Sequence, residues 1–196
     1  RGPAVGTVLT LYGARGSGSA AIEAALVLCG ADYRVVTAAT WEADSALDEL
    51  RKANPLQQVP TLVLDDGSVL TESAAILIHL GLAHPASNLL PADAAARAQA
   101  MRGLVFIAAN CYAAIGVIDY PERWCADAGA AATENLRRGA RARLHRYWDV
   151  FADTFGAPQP FFGGAAPGAL DIHAAVVSRW SGARAHLKRV RPALHA

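Results

Sequence analysis

Residues 71–73, Thr-Glu-Ser, stand at the start of an apolar helical run, and their types could hold an amino acid by both of its charges. A helix N-terminus offers unpaired N–H groups and the positive end of the helix dipole to a carboxylate. Ser73 adds a hydroxyl donor for the same carboxylate. Glu72 offers a negative charge to an ammonium group. Taken by themselves, the three residues merely cap the helix.

The elements around them make more of the pattern. Residues 61–64 form a short β-rich run. Asp66-Gly67 is a hairpin signal, because left-handed turn positions suit Asp and Gly. Residues 68–71 are the return strand, and the helix covers 72–82. Pro60 stands just before the first strand, where its missing donor and fixed φ do least harm.

Gln-Val-Pro-Thr-Leu at 58–62, a glycine hairpin, then Thr-Glu-Ser-Ala-Ala-Ile at 71–76 resemble the glutathione-binding half of the glutathione S-transferase family. The order and length of the pattern make it more specific than any one short motif. The resemblance is to bacterial-type, serine-class members and extends over nearly the whole chain. It implies that Pro60 is cis and that the Val59 backbone pairs with the cysteinyl backbone of glutathione. It implies that Glu72 and Ser73 hold the γ-glutamyl end, with Gln58 beside the ligand. A cis proline would turn the preceding backbone groups outward, free to pair with an extended peptide.

The family's reaction needs a thiolate, and a free thiol has a pKa of about 8.5. A hydroxyl donating to the sulfur favours the charged form, and a nearby helix N-terminus adds to it. The hydroxyl belongs between the first strand and the first helix, so the candidates are Ser17, Ser19 and Tyr12. Leu11-Tyr12-Gly13-Ala14-Arg15-Gly16-Ser17 resembles the serine classes. Ser19 is also a natural helix cap, and Tyr12 a natural strand residue packed beneath the sheet. The tyrosine classes place their phenol one position earlier, at Leu11 here. The cysteine classes place a thiol near position 18, which is Gly18. One feature departs from the family. Many relatives carry a Lys, Arg or His after the second strand for the glycine carboxylate of glutathione, and residues 35–50 contain none. Arg34 lies inside the strand, and Arg51 and Lys52 come late. Gln58 could hydrogen-bond that end and Trp41 could pack over it.

In chain order, residues 7–12 read as a strand, 13–18 as a glycine loop and 19–29 as a helix with Ile22, Leu26 and Cys29 on one face, ended by Gly30. Residues 33–37 form a second strand, parallel to the first through a right-handed crossover. A variable helical region at 41–52 stops before Asn54-Pro55. The order βαβ-α-ββα is that of the thioredoxin-like fold. The fold class is therefore α/β plus all-α: a thioredoxin-like glutathione-binding domain at 1–83, a linker at 84–92 and an all-helical substrate-binding domain at 93–196. Asp93 caps a long helix with Met101, Leu104, Val105, Ala108, Tyr112 and Ile115 on one face, and Pro121 interrupts the helical run. Another helix spans 133–155, with Leu136, Ala140, Leu144, Tyr147 and Phe151 inward. Its five arginines at 137, 138, 141, 143 and 146 read as a solvated face or subunit contact. Residues 170–180 and 183–190 complete the helices. Gly168 and Asp171 form half of the family's capping box, since Gly lacks a side-chain acceptor. By resemblance, the second substrate lies near Phe106, Asn110, Tyr112, Tyr120 and Trp124.

Composition sets outer bounds. The chain has 196 residues, 53% of them hydrophobic, which is ample for a core. A net charge of +1 gives no electrostatic case for nucleic acid. Apolar runs broken by charges and glycines are expected to leave no transmembrane helix and no membrane partner. Residues 1–6 lack an apolar signal core and read as a frayed end. Cys29, Cys111 and Cys125 are odd in number and far apart, which suits a reducing cytoplasm and gives neither a disulfide framework nor a metal site. The expectation is a cytoplasmic, homodimeric detoxification enzyme. It would add the thiolate of its co-substrate glutathione to a small apolar electrophile, with no metal. The alternatives are a glutathione-dependent isomerase or peroxidase of the same fold, and a fold relative that binds proteins without catalysis.

Overall fold

The computed structural model describes residues 8–42, 44–127, 129–156 and 160–195. The expected frayed end at 1–6, and Thr7 of the first strand, lie outside the described residues. The chain divides into two compact units, Arg1–Arg97 and Ala98–Ala196. The division falls in the first turns of a helix and not at the proline-rich segment.

The first unit is built on β1 (Leu9–Gly13), α1 (Ser19–Cys29), β2 (Tyr33–Thr37), α2 (Leu47–Ala53), β3 (Thr61–Val63), β4 (Val69–Thr71) and α3 (Ser73–Ala83). The strands form one sheet in the order β2-β1-β3-β4. β1 and β2 are parallel, with Gly13 opposite Thr37, and β3 runs antiparallel to both β1 and β4. This is the thioredoxin-like arrangement that the element order implies. Leu11, Ile22, Leu26, Leu62, Ile76, Leu77 and Leu80 are fully buried between the sheet and the helices α1 and α3.

Several local expectations need correction. The hairpin has one left-handed residue, Gly67 at φ 82°, and not two. Gly67 N–H bonds Leu64 O, and Leu64 N–H bonds Ser68 O, closing a three-residue loop. Asp66 takes part through its side chain, accepting from Ser68 N at 2.8 Å and Ser68 Oγ at 2.6 Å. The helical region at 41–52 contracts to α2, and Trp41 is exposed outside it. Residues 84–92 are no loose tether. They form a 3₁₀ turn at Pro85–Ser87, and Leu89 and Leu90 are buried. A Cβ on Gly81 would stand 2.5 Å from Leu90, so that glycine is what lets the segment seat on α3.

The second unit is all-helical. α4 (Ala94–Phe106) begins in the first unit, with Asp93 Oδ2 accepting from Ala96 N at 2.8 Å. A π-turn at Ile107–Tyr112 joins α4 to α5 (Ala113–Asp119). Asn110 Nδ2 donates to Phe106 O at 3.1 Å within it. The buried stripe is Leu104, Ile107, Cys111, Ile115 and Ile118, while Val105, expected inward, is 53% exposed. Val105 is one residue from Leu104, about 100° around the helix, so both cannot face one core. The expectation that charges break every long apolar run also fails. No charged residue lies between Arg102 and Asp119, and the helical run Ala94–Asp119 is long and apolar enough to cross a membrane. Its buried stripe is that of a core helix: Gly103 seats Leu170, and the π-turn packs on two further helices.

Those helices are α6 (Ala130–Phe155) and α7 (Ala169–Val177), followed by α8 (Ala183–Val190) and α9 (Pro192–His195). α6 buries Leu144, Trp148 and Phe151. Its arginines largely find local partners. Arg137 bonds Ile118 O and Glu134, Arg138 bonds Asn135, and Arg143 bonds Tyr147.

Candidate functional site

The sheet topology brings four segments to one end of the first unit. They are the residues after β1 (14–18), after β2 (38–46), before β3 (57–60) and after β4 (72–73). Thr61 pairs with Thr71 at this end of the β3–β4 ladder, so the segment before β3 and the start of α3 leave the sheet at the same edge.

The Val59–Pro60 bond is cis. The N–H and C=O of Val59 make no hydrogen bond with the described residues, although its side chain packs against Tyr12, Ala38 and Leu50. The carbonyl just before it is fully occupied. Gln58 O accepts from Thr61 Oγ1 at 2.8 Å and from Asn54 Nδ2 at 3.2 Å. Asn54 is 4% exposed and spends its other groups on Thr61 Oγ1 and Leu56 N. Sequence reasoning missed Asn54 and Thr61 as the residues that hold this loop. The signal was available, since Asn before Pro is a local hydrogen-bonding turn former. The Gln58 side chain is exposed.

Ser73 opens α3. The residue is 8% exposed, and its hydroxyl has no partner among the described residues. Glu72, just before it, is at φ 66° and ψ 109°, a region that bulky residues rarely adopt. Its carboxylate is exposed and unpaired among the described residues. The pair thus offers a donor and an acceptor side by side at a helix N-terminus.

The three hydroxyls between β1 and α1 differ sharply. Tyr12 is 9% exposed and packs with Ala38 and Leu50, away from the loop. Ser19 is not the helix cap expected, because Gly18 takes that place. Ser19 is fully buried, donates from Oγ to Ala14 O at 3.3 Å and accepts from Ala14 N at 3.2 Å. It also lies against Gly13, where a Cβ would come within 2.7 Å of its Oγ. Ser17 is half-buried, with its Oγ accepting from Ser19 N at 3.2 Å and donating to Ser19 Oγ at 3.0 Å. Ser17 is thus held at the first turn of a helix with part of its surface exposed. Arg15 and Gly16 complete the loop, a turn closed by Ser17 N to Ala14 O at 3.1 Å, with Gly16 at φ 76°.

The cysteines offer no activated thiol at Cys29 or Cys111. Burial raises the Cys29 pKa against a lowering hydrogen bond from Ser87, and burial pushes Cys111 up to about 12. Among the described residues, no cluster of His, Cys, Asp or Glu could hold a metal ion.

The expected second-substrate residues all lie in the second unit. Phe106 packs its ring on Tyr147, Phe151 and Phe155 in an aromatic core. Tyr112 faces His173 and Trp180. Asn110 is tied to the π-turn. Tyr120 lies under Arg123, 3.9 Å from its ring centre, and Trp124 is 66% exposed.

A profile of the glutathione S-transferase N-terminal domain matches residues 7–81. The uncharacterized GST-like protein YncG of Escherichia coli is 36% identical over 130 residues, 66% of this chain and 63% of that protein. Glutathione S-transferase Z1 of Arabidopsis thaliana is 30% identical over 154 residues, 70% of this chain and 69% of that protein. The chain thus spans less than two thirds of the length of the first of these relatives. The crystal structure of a glutathione transferase homolog from Sulfitobacter, with bound glutathione, shares the fold. Its TM-score is 0.82 at 23% identity, over 96% of this chain and 89% of that one. The thioredoxin-like sheet with its cis proline, matched by the family profile and by relatives over this length, identifies the chain as a member of the glutathione S-transferase family.

Proposed function

We propose that the chain is a glutathione transferase that joins the thiolate of glutathione to a small apolar electrophile. The observation that carries the reading is Ser73, a residue mostly buried at the start of α3 whose hydroxyl has no partner among the described residues, at the same end of the sheet as the unpaired backbone of Val59. A γ-glutamyl peptide satisfies both. Its α-carboxylate takes the Ser73 hydroxyl and the N–H groups of α3, and its ammonium group takes Glu72. Its cysteinyl backbone pairs with Val59, as a strand added to a sheet edge does.

The thiol then falls toward the loop after β1. Ser17 turns its O–H from Ser19 Oγ to the sulfur, while Ser19 N–H goes on holding its oxygen. Donation to the sulfur stabilises the thiolate over the thiol, and the displaced proton leaves to solvent. The thiolate sulfur attacks carbon of the electrophile held beside it; with an aryl halide the C–S bond forms as the carbon–halogen bond breaks and halide leaves to solvent with the bonding pair, and proximity supplies much of the rate. Assembly as a homodimer belongs to the same reading and rests on the family.

Calorimetric titration with glutathione tests it. Wild type is expected to bind in the micromolar to millimolar range, and Ser73→Ala to bind more weakly by about 1.5–3 kcal/mol, the worth of a hydrogen bond to a charge. No binding by wild type would sink the transferase reading.

A further inference from the structure

A second group of ionisable side chains gathers where α8 returns to α6. Of the eight residues of α8, Ala183 and Leu187 are buried, so its apolar hold on α6 is short. Two imidazoles complete the contact. His145 of α6 and His186 of α8 lie ring on ring, with centroids 4.5 Å apart and planes 16° from parallel. His145 Nε2 stands 3.2 Å from Ser181 O, and His186 Nε2 stands 2.8 Å from Asp149 Oδ1. The turn held in this way is tight, with Ser181 at φ 56° and Gly182 at φ 78°.

These contacts fix the protons. A carbonyl and a carboxylate only accept, so both Nε2 atoms carry hydrogen and donate. With the rings neutral, each Nδ1 is bare. Arg189 Nη2 lies 3.5 Å from His186 Nδ1, a donor facing a lone pair. A further proton finds no acceptor on either ring. On His186 it would point Nδ1–H at the Arg189 guanidinium. On His145 it would charge a ring stacked on His186, with no acceptor for Nδ1 among the described residues.

The charges around the stack are Arg141 and Asp149 from α6 and Arg189 from α8. Arg191, at the end of α8, also acts on Asp149. Arg184 turns away to Ser178 and Ala175. α5 packs on α6 too, but its Asp119 lies by Arg137, more than two turns from His145. One carboxylate thus faces cations from three positions. Burial lowers the His145 pKa from its ordinary value; the Ser181 carbonyl and Asp149 raise it, and His186 and Arg141 lower it further. A base with a depressed folded pKa contributes fully above its unfolded value, about 6.5, and loses that contribution as the pH falls.

We propose that His145 is a pH-sensitive latch: while neutral it holds residues 181–186 on α6, and once protonated it releases the first turn of α8. The far end of α8 stays tied. Arg191 grips Asp153 through two hydrogen bonds, which hold the Asp153 carboxyl below its ordinary pKa, so that pair keeps its charge through the same range. α8 therefore opens from one end, hinged at Arg191. The latch is independent of the thiol site.

Amide hydrogen exchange of the full chain by NMR, at pH 7.5 and 5.0 and corrected for the intrinsic pH dependence of exchange, tests it. Amides 183–187 should lose protection by about 5-fold or more at the lower pH, the scale of a partly screened like-charge contact. His145→Phe keeps the stack, His145→Gln keeps a donor for Ser181 O, and neither takes a proton. Both should give α8 the same protection at the two pH values, at whatever level. Arg191→Gln should lower protection equally at both and leave the wild-type ratio intact. In wild type, the loss should level off where the His145 ring titrates in its own NMR signal. A wild-type ratio near one overturns the proposal. So does a folded His145 variant with the wild-type ratio, a ratio abolished by Arg191→Gln instead, or a loss that continues unchanged past the titration of His145.

Discussion

The two units treat their polar groups in opposite ways. At the sheet end of the first unit, the Ser73 hydroxyl, the Glu72 carboxylate, the Val59 backbone and the Arg15 guanidinium have no partners among the described residues. In the second unit, polar groups close on one another across helices. His186 Nε2 meets Asp149 Oδ1 at 2.8 Å, and Arg191 holds Asp153 through two bonds at 2.9 and 3.1 Å. Asp171 accepts from Gly168 N and Phe162 N, both at 2.9 Å. A donor closed inside the fold serves stability, and one left open beside a fixed loop waits for a ligand. Two groups spoil the division. Trp148 Nε1 on α6 is buried with no partner among the described residues. His173 on α7 is 1% exposed, and neither ring nitrogen has a partner among the described residues.

The largest effect is expected where the contrast is sharpest. Ser17→Ala should lower kcat/KM with glutathione and an aryl halide by about 100-fold or more. Its melting temperature should stay near wild type, because Ser19 keeps its bonds to Ala14. A variant with full activity would remove Ser17 from the chemistry.

His173 comes next, and its sign follows from burial. Desolvation lowers its pKa to about 4, below the unfolded value near 6.5. The unfolded chain therefore binds a proton first as the pH falls. Stability present above pH 6.5 is lost toward pH 4, on the order of 3 kcal/mol in all. His173→Phe should flatten that loss, measured as melting temperature against pH between 7 and 4, and leave glutathione affinity unchanged. An acid slope as steep in the variant as in wild type would show that other groups carry it.

Asp171→Ala is the smallest. It removes two bonds to backbone N–H groups, and unfolding in urea should report a loss of about 2 kcal/mol. Glutathione affinity should not change in the protein that remains folded. A loss of affinity comparable to that of Ser73→Ala would break the contrast between the units.

Much of this was readable before the fold. The hairpin, the proline before β3 and the acid-serine helix start carry local chemistry, and their order, through the resemblance to the family, located them. The half-present capping box at Asp171 was legible through the same resemblance. What was hidden depends on which way a side chain turns. Ser19 looks like a cap, and only the packing against Gly13 shows that its hydroxyl is sealed back onto Ala14. The ring contacts of Phe106 and Tyr112 with aromatic side chains of α6 and α7 also depend on the fold and have no signature in the sequence. The π-turn at 107–112 also has no simple periodic signature, and the misplaced Val105 lies just before it.

The sealed hydroxyl of Ser19 has a consequence for the entropy of binding. Loops that meet ligands usually lose conformational freedom when they do so, and each ordered residue costs about 1–2 kcal/mol. Here the Ala14 amide and carbonyl are bonded to a side chain beneath the surface, so the turn at 14–17 belongs with the core in its slow opening to water. Its order is settled when α1 docks on β1. A thiol peptide arriving later finds Ser17, its proposed partner on that turn, already in place, and what it spends on ordering goes to itself alone.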